Sequence, residues 1–437
     1  DKQKMKVKQI SLMVMLGFLT MTLPAREVMR LDLEGAKKQA ILYNKTLKNA
    51  GMAVDKSVYQ LKEAISAGLP QVSSTLDYTN ALGAKLSIRF VEDAPPTEIP
   101  IRPTSNFNLQ VGQLLFNGPY FVGIELAKLG KSLMEKSYEK SEQDILAQVT
   151  GGYNLVLMSR ELLDLLNRNV TNFREVYNKT SALVSAGILE QTDLDQLGVQ
   201  IASLGNSVRS SERQLELAKN MLRLQLGLTI DQDFEVLGTL DQALLAMNGI
   251  SEASGPFDVN RNPDFQLLGL QENLTQKQVR LQYAAFLPTL TGFYNRTEKI
   301  LKPDFDMSPK NMVGLNLSIP IFSGGQQTAK LKQAKIELET MQNTRELLAE
   351  QLEVQEKQLR FNLKNANETY LNQVTNLDVA RRVYSNLKLK FEQGMISALD
   401  LVTADNNYLR AETEYLTALF QVLQAKLDLD KINGNLK

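Results

Sequence analysis

The sequence predicts a mainly α-helical protein with a smaller membrane β-barrel portion, built from an internally duplicated unit of helix, strand, strand, long helix and helix. Three observations predict this fold class. Two helical stretches are unusually long, four segments alternate apolar and polar residues, and the same order of elements occurs twice along the chain. A duplicated order of this kind indicates an internal repeat of one structural unit.

The longest helical stretch covers residues 326–393 and contains neither glycine nor proline. As one helix it would be about 100 Å long at roughly 1.5 Å per residue. Its apolar residues follow steps of three and four, with a mean of about 3.5, the period of a left-handed coiled coil. A solvated coiled-coil rod is the simplest alternative for such a stretch taken alone.

The composition excludes several classes of function. The chain of 437 residues has 49 basic and 49 acidic side chains, and it has no histidine and no cysteine. A balanced charge predicts no nucleic-acid partner. Without histidine and cysteine the common zinc ligands, thiol nucleophiles and general bases are missing, so we expect no enzyme, metal or cofactor site.

The N-terminus is interpreted as a signal peptide over residues 1–25. A short basic start at Met5–Lys8 precedes an apolar run over residues 10–23, and the predicted cut falls near Ala25. The alternative is a transmembrane anchor, but the run is shorter than the roughly 20 residues that span a bilayer. The absence of cysteine agrees with an oxidising compartment.

The first repeat is predicted over residues 26–227. Its elements are a helix over 31–67, two barrel strands over 70–82 and 106–116 separated by a proline-rich loop, a long helix over 121–186, and a helix over 191–226. Gly187 and Gly227 are expected to end the last two helices.

The second repeat is predicted over residues 262–437, after an irregular joint over 228–261. Its elements are a helix over 263–286, two barrel strands over 288–299 and 311–322, the long helix over 326–393, and a helix over 397–432. Each repeat supplies one long helix and two shorter ones, so two short helices stacked end to end can flank one long helix.

The strands indicate where the protein resides. Each strand is roughly 10 residues long, which is the length that a tilted strand needs to cross a bilayer, and each has one apolar face. An ordinary soluble hairpin is the alternative for either pair alone. Four strands cannot close a barrel and open edges are not tolerated in lipid, so a barrel requires several copies of the chain.

A set of motifs recurs in the duplicated order, and together they resemble the TolC family of outer-membrane efflux proteins across the mature chain. The motifs are Ala36, Ala40, Asn44 and Leu47 before Leu69-Pro70; Asn262-Pro263 and Leu287-Pro288; Phe322-Ser323-Gly324-Gly325; Ala186-Gly187-Ile188-Leu189 with Thr192-Asp193-Leu194; and Gln393-Gly394-Met395-Ile396 with Leu399-Asp400-Leu401.

This resemblance implies a homotrimer in which each chain gives four strands to a twelve-stranded barrel in outer-membrane lipid. It further implies a trimeric α-helical tunnel in the periplasm, with residues 228–261 as an equatorial belt. The implied function is the passive exit duct of a tripartite efflux or type I secretion system, with a periplasmic adaptor and an inner-membrane transporter. The rival interpretation is a soluble periplasmic coiled-coil scaffold or adaptor.

The resemblance also assigns the periplasmic tip. Adaptor docking is expected at the helix tips, on Gly187, Ile188, Leu189, Gly394 and Met395.

The gate that the resemblance implies comprises Asp400, Phe391, Ile396, Thr403 and Asp193. Asp400 is expected to face the axis, where three copies form a carboxylate ring that favours cations. From the sequence alone, helix capping is the favoured interpretation of Asp400, and the resemblance reverses that preference. For Asp193, helix capping and a polar contact at the gate are equally open. Thr403, Ile396 and Phe391 replace an aspartate, an arginine and a tyrosine of the family pattern. We therefore expect apolar contact of Phe391 and Ile396 to hold the closed tip.

Overall fold

The computed structural model describes residues 28–89, 96–246, 256–301 and 308–436; the predicted signal peptide lies outside these ranges. The elements in chain order are β1 (Met29–Leu31), α1 (Leu33–Tyr43), α2 (Lys45–Ser66), β2 (Gln71–Thr79), β3 (Lys85–Ile88), β4 (Thr97–Pro100), β5 (Thr104–Asn117), α3 (Gly118–Ser185), α4 (Gln191–Gln225), β6 (Phe234–Val236), α5 (Leu240–Ala246), α6 (Pro263–Ala284), β7 (Thr289–Leu301), β8 (Asn311–Ser318), α7 (Gln326–Glu392) and α8 (Ala398–Ile432).

Two helices, α3 with 68 residues and α7 with 67, run the length of the helical part. Helix α7 coincides with the predicted stretch to within one residue. Helix α3 begins three residues earlier than predicted because Asn117 caps it, with Oδ1 accepting from the Tyr120 amide at 2.7 Å. It continues through Gly151 and Gly152, where a Cβ on Gly152 would lie 2.6 Å from the Gln225 side chain. Glycine there permits close helix packing.

The helix predicted over residues 31–67 is two helices, α1 and α2, separated at Asn44. Asn44 has an extended backbone, with φ −63° and ψ 125°. Its Oδ1 accepts from the amides of Thr46 and Leu47 at 2.8 and 3.1 Å, so its side chain starts α2. Asparagine is a strong N-cap because it satisfies amides that have no partner within the helix.

The same buried asparagine also joins two helices end to end. Asn44 Nδ2 donates to the carbonyl of Gln225, the last residue of α4, at 2.7 Å. In the second repeat Asn262 caps α6 and donates to the carbonyl of Ile432, the last residue of α8, at 2.9 Å. Gly227 follows α4 with φ +70°, and a Cβ there would lie 2.2 Å from the Tyr43 carbonyl oxygen. We call these contacts the asparagine junctions.

The strands form one antiparallel four-stranded sheet in the order β2-β5-β7-β8, so the two repeats meet at β5 and β7. Val72, Val111, Tyr294 and Val313 are register partners across all four strands and form an apolar row on one face.

The opposite face of the sheet is polar. On it the Asn108 amide donates to Asp77 at 2.7 Å, and the Thr297 hydroxyl donates to Asn108 at 2.8 Å. The sheet is therefore amphipathic, as the alternating sequence predicts.

Several strand limits differ from the prediction. Strand β2 ends at Thr79 rather than at residue 82, because the Asn80 side chain accepts from the Leu82 amide at 2.9 Å and turns the chain. Strand β8 ends at Ser318 rather than at residue 322, two residues before Pro320, which cannot donate to a ladder. Strands β5 and β7 extend over 14 and 13 residues. The expected proline-rich loop contains the antiparallel ribbon β3–β4.

The described residues of the joint, 228–246 and 256–261, include regular elements. Strand β6 pairs with β1 in parallel, and Arg160 of α3 donates to the carbonyl of Val236 at 2.6 Å. The Tyr415 hydroxyl of α8 donates to Asp241 of α5 at 2.6 Å. Residues of the joint are thus anchored to the middle of the long helix α3 and of the shorter helix α8. Within the described ranges, no helix is long and apolar enough to cross a membrane.

We expect Asn262→Ala to destabilise the helical part by about 1 to 2 kcal/mol, because it removes an N-cap and leaves the Ile432 carbonyl without its donor. Thermal unfolding followed by circular dichroism in detergent measures the effect. The matched control is Asn372→Ala, at an exposed position within α7. Equal melting temperatures for the two variants would contradict the role of the junction.

Candidate functional site

Two helical hairpins, α3–α4 and α7–α8, end in equivalent glycine turns. Gly187 has φ +73° and Gly394 has φ +72°. At each turn the residue after the glycine closes the helix: the Ile188 amide donates to the Leu183 carbonyl, and the Met395 amide to the Lys390 carbonyl, both at 2.9 Å. This left-handed C-cap geometry favours glycine because a Cβ would be strained there.

The hairpin tips expose apolar side chains. Ile188 and Met395 are each 68% exposed, and Leu399 on the first turn of α8 is 56% exposed. Leu189 is half-buried. The predicted docking residues thus lie at the outermost point of both hairpins.

Behind the turns, a buried apolar cluster joins the two hairpins; we call it the tip cluster. Phe391 is 7% exposed within it, and Ile396 packs against it. The structure therefore brings these two predicted gate residues together, inside one chain. The other members of the tip cluster are Leu166, Val170, Phe173, Val176, Leu197, Leu204, Ala398 and Leu401.

Asp400 forms a capping box at the start of α8. Its Oδ2 accepts from the Ser397 amide at 3.1 Å, and the Ser397 hydroxyl oxygen accepts from the Asp400 amide at 3.2 Å. Asp400 therefore caps α8, which is one of the two roles that the sequence allowed for it. Asp400 and Thr403 are both exposed and lie three residues apart, so they share one face of α8.

Asp193 lies at the equivalent third position of α4 but caps nothing with its side chain. The N-cap of α4 is Glu190, and no side-chain capping bond forms. The difference arises because Ser397 supplies a hydroxyl that Glu190 does not. The spacing Ser-x-x-Asp is the sequence signal for this capping box, and the sequence interpretation missed it.

Two polar contacts also connect the hairpins. Lys179 of α3 pairs with Glu392 of α7 at 3.1 Å, and the Gln200 amide of α4 donates to Asn406 of α8 at 2.7 Å. Both members of the ion pair are more than a third exposed, so the pair adds little stability. The tip cluster is therefore the main link between the hairpins.

A buried carboxyl, Asp405, is the residue that sequence reasoning did not assign. It is 1% exposed, and burial raises its pKa to about 6. Its position four residues after the buried Leu401 is the sequence signal that could have placed it on the inward face. Among the residues that the structure describes, no group of carboxylates is arranged to hold a metal ion.

The architecture is that of one protomer of an outer-membrane channel: an amphipathic sheet with open edges continues into long helical hairpins that converge on a tip. A family model described as "Outer membrane efflux protein" matches residues 37–228 and 259–435. The chain belongs to this family of outer-membrane proteins. The predicted family, fold class and location are confirmed.

Individual relatives agree with this assignment. Outer membrane protein TolC of Escherichia coli is 22% identical over 422 residues, covering 91% of this chain and 81% of that protein. The proteases secretion protein PrtF of Dickeya chrysanthemi is 22% identical over 318 residues, or 70% and 67% of the two chains. The CmeC outer membrane channel of Campylobacter jejuni superposes with a TM-score of 0.73 at 16% identity, and the match covers 92% of this chain and 85% of that one.

We expect Phe391→Ala to loosen the tip, because removing a buried phenylalanine costs about 3 to 5 kcal/mol. Hydrogen exchange of peptides covering residues 384–409 should increase, while peptides from the sheet remain protected. Leu389→Ala, at a 58% exposed position on the same helix, is the control. Equal hydrogen exchange of these peptides in Phe391→Ala and Leu389→Ala would refute the role of Phe391 in holding the tip together.

Proposed function

We propose that the protein is the passive exit duct of a tripartite efflux or type I secretion system, opened at its periplasmic tip. The observation that carries the proposal is the sheet: β2 and β8 are unpaired edges within the described chain, and the apolar row is exposed. Val72 and Val313 in that row are 66% and 81% exposed. Such a sheet is stable in lipid only when copies close it into a barrel.

Three copies of the chain would give twelve strands, and the helices of the three copies would continue the wall of the barrel as a tunnel. Apolar side chains on the outside of the long helix α7 support contact with a neighbouring chain. Ile336, Val354 and Phe361 are 62%, 68% and 62% exposed in one protomer. A scaffold or adaptor that worked as a soluble rod would leave both this surface and the apolar row in water, which disfavours the alternative.

The proposed gate lies where Asp400 and Thr403 share an exposed face of α8. A three-fold axis beside this face would bring three Asp400 carboxylates together and attract cations. The capping box supports this, because Ser397 fixes the orientation of the carboxyl. Asp193 on α4 is the proposed polar partner. Phe391 and Ile396 would keep the two hairpins of one chain packed while the tip is closed.

The proposed partners are a periplasmic adaptor and an inner-membrane transporter. The exposed Ile188 and Met395, with Gly187, Leu189 and Gly394 beside them, offer an apolar surface at the tips where an adaptor could cover them. The duct would be opened by its partners and would take its cargo from the transporter.

We expect Leu315→Arg to reduce assembly into the membrane, because a charge on the lipid face costs about 2 to 4 kcal/mol at mid-bilayer. Asn316→Arg, one residue further along the same strand and on the opposite face, should be tolerated. The measurement is the yield of trimer in the outer-membrane fraction. Normal yield for Leu315→Arg would place this face away from lipid.

The direct test is single-channel conductance of detergent-extracted protein in a planar bilayer. Discrete conductance steps are expected, and Asp400→Ala should lower the preference for cations because it removes the proposed carboxylate ring. Asp195→Ala, on exposed α4 surface, is the control. Folded protein without conductance would favour the scaffold, whereas conductance with unchanged selectivity would refute only the gate.

A further inference from the structure

We propose that Asp405 is a proton-binding residue that sets how tightly the two hairpins of the tip pack against each other. It lies on α8, between α3 and α7, and is 1% exposed. Its bearing on channel opening rests on the proposed function, whereas its effect on packing does not.

Two buried oxygen atoms at this position have no hydrogen-bond donor. They are Oδ2 of Asp405 and Oδ1 of Asn169, which is 4% exposed on α3. An ionised carboxylate can only accept hydrogen bonds, so it cannot satisfy a second acceptor. A protonated carboxyl carries an O–H donor and no net charge. Protonation therefore removes a buried charge and supplies the donor that this part of the interface lacks.

The surrounding groups oppose one another. The pKa of Asp405 is raised to about 6; burial is the largest cause, and the Glu412 carboxylate acts in the same direction. The Asn169 amide, the Tyr384 hydroxyl and the Lys388 ammonium act in the opposite direction, because each favours the ionised carboxylate.

Other polar groups line the cavity beside Asp405. Asp164 and Arg168 on α3 and Tyr408 on α8 carry ionisable side chains there, Arg381 on α7 bonds to Tyr408, and the uncharged Asn167, Thr171 and Asn172 complete the α3 side.

Protons can reach this position from solvent. A cavity of about 560 Å³ opens beside it and is lined by Asp164, Arg168, Asn169, Asp405, Tyr408 and Glu412. The rings of Tyr384 and Tyr408 stack over the same region with centroids 5.4 Å apart. A small separation of the hairpins would therefore hydrate the carboxyl and return its pKa towards the ordinary value of about 3.9.

The direction of the effect follows from linkage. The packed tip binds the proton more tightly than the opened tip, so packing is favoured at acid pH. The stabilisation of the packed tip by protonated Asp405 is fully present below about pH 4. It declines as the pH rises and is lost once the pH has passed about 6. Ionisation of Asp405 thus loosens the tip.

Hydrogen exchange of the full-length protein in detergent tests the inference. Protection of peptides covering residues 384–409, corrected for intrinsic exchange rates, should fall on the order of tenfold between pH 5 and pH 7.5 because of this one proton. Asp405→Asn should remove this pH-dependent fall in protection, since the amide cannot ionise. Asp195→Asn, at an exposed position on α4, should leave it intact. Equal pH dependence in Asp405→Asn and the parent would overturn the proposal.

Two charge variants distinguish proton binding from a structural effect. Lys388→Gln removes a cation that favours the ionised form, so the upper limit of the pH-dependent range should move to higher pH. Glu412→Gln removes a like charge, so the limit should move to lower pH. Lys390→Gln is the exposed control on α7. If the upper pH limit moved in the same direction in Lys388→Gln and Glu412→Gln, or did not move in either, the proposal would be refuted. This test does not depend on channel conductance.

Discussion

The asparagine junctions are the contacts on which the helical part depends. A long helix of 67 or 68 residues needs apolar neighbours along its whole length. Two shorter helices placed end to end can supply these neighbours, and an asparagine joins each such pair. The side chain of Asn44 or Asn262 caps the start of one short helix and donates to the last carbonyl of the other. Both junctions are buried and have the same bonding, so each repeat continues one short helix with another in the same way.

The tip combines a rigid turn with an adjustable interface. Glycine C-caps at Gly187 and Gly394 fix the hairpin ends, while the apolar tip cluster supplies most of the contact between hairpins. Apolar packing has little directional preference, so it permits small displacements that a network of charged hydrogen bonds would resist. Asp405 adds a buried ionisable group to this interface, and in our proposal the strength of the interface depends on its protonation.

The sheet shows why one chain is an incomplete folding unit. Each repeat contributes two strands, and the pairing of β5 with β7 unites the repeats. The outer strands β2 and β8 keep free edges, and their apolar side chains remain exposed. In the proposed channel, closure by further copies would satisfy both features at once and would couple membrane insertion to assembly.

The sequence by itself determined the elements whose causes are local. The limits of α7 follow from the absence of glycine and proline, and the tip turns follow from Gly187 and Gly394. The break at Asn44 could not be predicted in this way, because it depends on a carbonyl 181 positions away in α4. The burial of Asp405 and its contact region with Asn169 likewise required the packing of α3 against α8. Long-range contacts of this kind are decided by the tertiary structure, since the local sequence can place Asp405 on the inward face of α8 but cannot show which residue of α3 packs against it.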